Sequence, residues 1–108
     1  MIALSAATRL RVTALFRAED VETAERLLAH ECGETLPLVG EAATPVSLER
    51  IRFAAIRMSD GDLAHLRRAI ELAQTDWRDL LVAASFADDP DAHRRWRPRR
   101  FDPGGRSR

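Results

Sequence analysis

The chain has 108 residues, its 17 basic and 17 acidic side chains cancel at pH 7, and its single cysteine excludes an internal disulfide or a multi-cysteine zinc centre. A chain of this length makes one domain that buries roughly two thirds of its unfolded surface. No apolar run approaches the ~20 residues that cross a bilayer, and the start, Met1 to Ala7, lacks the basic leader and the length of a secretory signal, so a cytoplasmic protein with no membrane partner is expected.

Every basic residue is Arg, and Lys, Asn and Tyr are absent, a bias that GC-rich coding produces without selection for guanidinium chemistry. The neutral total hides an asymmetry. Residues 1–93 carry 10 Arg against 16 acids, a net of −6, whereas residues 94–108 carry 7 Arg against Asp102, a net of +6. The expected organisation is a globular domain over 1–97 and a basic, disordered tail over 98–108, where Pro103-Gly104-Gly105 and few apolar groups offer nothing to bury.

In chain order, residues 8–16 alternate, with Leu10, Val12, Ala14 and Phe16 on one face and Arg9, Arg11 and Thr13 on the other, which predicts a half-buried β-strand. From Glu19 to Cys32, Val21, Ala24, Leu27, Leu28 and Cys32 recur at helical spacing, with acids in the first turn and Gly33 as the stop. Pro37 leaves room for at most a short second strand over 36–39. If 36–39 does not pair, the first strand has an open edge, and a second copy of the chain is its natural partner.

Ser47 is a plausible N-cap for a helix over 48–58, although Arg50-Ile51-Arg52-Phe53 also alternates and a strand competes. Asp62 caps a helix through Leu63, Leu66, Ile70 and Ala73. Residues 77–86 then read as a helix apolar on almost every side, introduced by Asp76 as a cap, and Asp89-Pro90 opens a short helix from Asp91 to Trp96.

The fold class that follows is mainly α (α+β), with about five short helices packed around helix 77–86, one N-terminal strand and room for a second. The expected core is Leu10, Val12, Phe16, Val21, Leu28, Ile51, Met58, Leu66, Ile70, Trp77, Leu80, Leu81 and Ala84. The run Leu48 to Ala55, the stretch Asp76-Trp77-Arg78-Asp79-Leu80-Leu81-Val82-Ala83-Ala84, His93 and Trp96 together resemble a group of small bacterial proteins of about this length. That resemblance covers residues 8–97 and implies a shared fold, with no activity, cofactor or site residue attached to it.

Chemistry near neutral pH could come only from three histidines and Cys32. His30 and Cys32 are two apart and do not face each other on a helix, and Cys32 reads as a buried small hydrophobe. His65 follows Asp62 by three and His93 follows Asp89 by four, spacings that pair a carboxylate with an imidazole, so a metal-dependent enzyme using His65 and His93 is the weakest of three readings. The opposing view is that both acids cap helices and both histidines are solvated. No phosphate loop, nucleophile elbow or metalloprotease motif is present.

The interleaved Arg94, Arg95, Trp96, Arg97, Arg99, Arg100 and Phe101 could neutralise phosphates and stack on bases, which makes nucleic-acid binding the main alternative. A helix-turn-helix reading of 63–86 fails because its second helix would offer apolar side chains to the bases. The preferred reading is a non-enzymatic interaction or accessory module with no cofactor, partnered by itself or by another protein.

Overall fold

A computed structural model of the chain describes residues 3–33, 36, 44–89 and 91–98. They form five helices: α1 over Ala6–Leu15, α2 over Ala18–Glu31, α3 over Pro45–Ser59, α4 over Leu63–Ala83 and α5 over Ala92–Arg95. No strand occurs among the described residues. The expected N-terminal strand is therefore corrected to helix α1, and the expected short strand over 36–39 falls, apart from Leu36, outside the described residues.

The physical reason for the first correction lies in the spacing. A set of alternate positions always contains an i, i+4 set, and besides Arg11 the residues that α1 buries are Thr8 and Val12, with Phe16 just beyond, four apart. Leu10, half a turn away, is 69% exposed, whereas Arg11 is buried, the reverse of what an alternating strand demands. Ser5 fixes the start by accepting the Thr8 amide at 3.1 Å.

The centre of the molecule is α3 rather than residues 77–86. Leu48 and the unbroken run Ile51 to Ile56 are all buried on it, so the middle of α3 is enclosed on every side. It packs most extensively on α4 and also meets α1 and α5, while α2 braces α1 and α4. The choice between helix and strand for 48–58 resolves as helix, started by Thr44, whose hydroxyl accepts the Ser47 amide at 3.1 Å, with Pro45 next and Ser47 inside the first turn. Met58, expected in the core, is 41% exposed.

α3 ends in a sharp reversal through Asp60 (φ 50°) and Gly61 (φ 83°). A Cβ on Gly61 would stand 2.6 Å from the Leu15 carbonyl oxygen, so only glycine lets α1 approach this turn. Asp62 then caps α4 by accepting the His65 amide at 3.0 Å.

The two helices expected over 63–74 and 77–86 are one element with a break at Asp76, whose backbone is extended (φ −160°, ψ 99°). Asp76 restarts the helix by accepting the Arg78 amide at 3.0 Å, which is its expected capping role. The helix stops at Ala83, where Ser85 takes a left-handed conformation (φ 64°), its amide bonds to Val82 O at 3.0 Å and Phe86 N to Leu81 O at 2.8 Å. Phe86 is thereby folded back into the core beyond the helix end. Trp77, expected as a core anchor, is only half-buried. No helix among the described residues is long and apolar enough to cross a membrane.

Candidate functional site

Two features are built where α1 meets its neighbours: a buried polar clamp on one side and an open apolar groove on the other. The clamp begins with Glu49 on α3. Its Oε1 accepts from the Ser5 hydroxyl at 2.7 Å, and its Oε2 lies 3.6 Å from Nε2 of His93 on α5. Ser5 also shares a 2.8 Å hydroxyl contact with the buried Thr8. His93 is fully buried, with Phe53 edge-on at 5.2 Å and Phe86 at 6.3 Å between ring centres.

This corrects the pairing expected from sequence. Asp89 meets Arg95 rather than His93, and His93 is not solvated. His65 does sit on Asp62, Nδ1 to Oδ2 at 3.2 Å, on the surface. The two histidines thus have different partners in different environments, and among the described residues no three His, Cys, Asp or Glu side chains cluster as metal ligands. Ser5 directs its proton to Glu49, so the Ser-Glu-His trio joins three helices without forming a serine-histidine pair that would activate a nucleophile. Cys32 is fully buried, and burial pushes its thiol up to about 12, which keeps it protonated and inert.

Two buried arginines extend the clamp. Arg52 donates through Nε to Cys32 O at 3.0 Å and through a terminal nitrogen to Ala3 O at 3.1 Å, fastening the end of α2 and the N-terminal segment to α3. Arg11 stacks over Phe53 at 4.0 Å and donates to Trp96 O at 3.0 Å and Arg94 O at 3.4 Å. Burial and then the adjacent Arg97 lower the Arg11 guanidinium from its ordinary value, an effect that Glu49 partly offsets.

The groove runs between α1 and the start of α2 and has a volume of about 1360 Å³. Its α1 wall is Ala7, Leu10 and Ala14, three or four residues apart on one helical face, and Val21 and Phe16 close the far side. Alanines at 7, 14 and 18 make it hollow, because no long side chain fills the space that Leu10 overlooks. Arg17 and the pair Arg97-Pro98 stand at its edges.

Of the residues singled out for nucleic acid, Arg94 pairs with Asp91 at 3.7 Å, Arg95 pairs with Asp89, and Arg97 donates to the carbonyls of Arg94 and Trp96. Arg99 and Arg100 lie outside the described residues. Glu49 and Arg52 lie outside the expected site residues, and their signal in the sequence is charge inside the otherwise apolar stretch Leu48–Ile56, as that of the groove is alanine at helical spacing around Leu10. Comparison with family models, curated proteins and solved structures finds no match. What fold and site define is a small all-helical domain, among the described residues, with a locked polar interior and one open apolar groove.

Proposed function

We propose that this chain is a non-enzymatic docking module that receives a segment of a protein partner along the α1–α2 groove. The observation that carries this reading is the groove itself: at about 1360 Å³ it exceeds the 300–1,000 Å³ typical of small-molecule pockets, and Leu10 stands 69% exposed at its edge. An exposed leucine flanked by a hollow of small residues is the arrangement in which an apolar side chain from outside gains most by burial. His93 is locked between helices and Cys32 is buried and protonated, while His65 rests on its own helix cap Asp62, which favours binding over catalysis.

The experiment is an amide-shift titration of the 15N-labelled full-length chain with an alanine-based helical peptide of about 16 residues bearing a leucine stripe. Saturable shifts confined to α1, the first turns of α2 and residues 97–98 are expected, and Leu10→Glu should abolish them. Shifts elsewhere, or none, would remove the reading.

A further inference from the structure

The rim of the groove is more specific than its floor. Three arginines line it, Arg11, Arg17 and Arg97, against one acid, Glu19. Arg11 and Arg17 belong to the net acidic first 93 residues, and Arg97 to the basic segment that follows. Arg26 meets Glu22 at 3.5 Å, and Arg94 and Arg95 meet Asp91 and Asp89, whereas among the described residues the exposed Arg9, Arg67, Arg68 and Arg78 have no such pair. Among the described residues Arg17 and Arg97 have no carboxylate within ion-pair distance.

We infer that the occupant of the groove is an amphipathic helix of a second protein carrying carboxylates beside its apolar stripe, one for Arg17 and one for Arg97. This rests on the docking reading above and adds the partner's chemistry. A helix is the fitting shape because the wall it meets is itself a helical face, Ala7, Leu10 and Ala14, and no open sheet edge exists among the described residues to which an extended strand could add.

A carboxylate arriving at Arg97 would also ease the crowding of like charge that Arg97 imposes on Arg11.

The test uses the full-length chain and three helical peptides that share one leucine stripe and differ only in two flanking positions, occupied by Glu, Gln or Lys. By fluorescence anisotropy the Glu peptide should bind about fivefold or more tightly than the Gln peptide, with Lys weakest, as two exposed ion pairs would give. Raising salt to about 0.5 M should collapse the difference. The double variant Arg17→Glu with Arg97→Glu should invert the order. Both side chains are exposed, so the fold is kept, and an unchanged melting temperature checks it.

Equal binding of the three peptides would overturn the acidic partner while leaving the groove reading intact. Failure of all three to bind, or binding indifferent to Leu10→Glu, would overturn both. If light scattering shows a dimer that Leu10→Glu converts to monomer, the occupant is a second copy of this chain and the acidic helix is excluded.

Discussion

Glu49 divides its two oxygens between Ser5 on one side, at 2.7 Å, and the buried His93 on the other, at 3.6 Å, so one side chain of α3 fastens both ends of the described chain. Removing it takes away the acceptor of the Ser5 hydroxyl and the carboxylate that faces His93. Glu49→Ala should therefore cost about 2–3 kcal/mol in urea unfolding, while Ser5→Ala, which loses the α1 cap and one bond to Glu49, should cost about 1 kcal/mol. Equal small effects would show that His93 is held by its aromatic neighbours instead.

Arg52 bonds to the carbonyls of Cys32 and Ala3 through separate nitrogens of one planar guanidinium. A lysine has one ammonium on a flexible stem and does not bridge two such points. Arg52→Lys is expected to destabilise by about 2–4 kcal/mol although charge is retained, as read from the shift of the urea midpoint.

The two left-handed turns give changes of opposite sign. Gly61→Ala places a Cβ 2.6 Å from Leu15 O at φ 83° and should cost about 2 kcal/mol or more. Ser85 occupies the position after α4 where glycine is preferred, at φ 64°, and Ser85→Gly should gain about 0.5–1 kcal/mol in thermal unfolding.

The Cys32 thiol, raised by burial to about 12, makes a prediction in pH. An unfolded cysteine ionises near 8.5, so the folded state holds its proton more tightly. The resulting contribution to stability is complete below the unfolded value and is lost as pH rises from there towards 12. Alkylation of Cys32 by iodoacetamide at pH 8 should be slow in the native chain and fast in urea. Rapid native alkylation would mean that the site opens locally.

How far the sequence reaches depends on which constraint is local. The caps at Asp62 and Asp76 were legible because an aspartate before an apolar periodic run satisfies nearby amides whatever the tertiary fold. The helix over α2 was legible for a similar reason, with acids in its first turn and Gly33 after its end. α1 was not, because Leu10, Val12, Ala14 and Phe16 fit both periods, and the decision rests with α3, which buries Val12 and Phe16 and leaves Leu10 outside. Glu49 and His93 are 44 positions apart and their pairing is set only by how α5 lands on α3. His93 accordingly read as a surface histidine four residues from Asp89. The groove depends on what is missing between α1 and α2, and absent side chains leave a weak trace in a sequence rich in alanine.

The bond from Arg11 to Trp96 O spans 85 positions along the chain, while most of the remaining packing joins helices that are near neighbours in sequence. Closing so long a loop is entropically expensive and is rewarded only once α3 and α4 already stand. This latch should form after the rate-limiting step of folding. Arg11→Met is then expected to speed unfolding with little change in the folding rate, a φ-value near zero in stopped-flow chevrons. The molecule would thus owe its kinetic persistence, as distinct from its speed of assembly, to the contact that joins its first helix to its last.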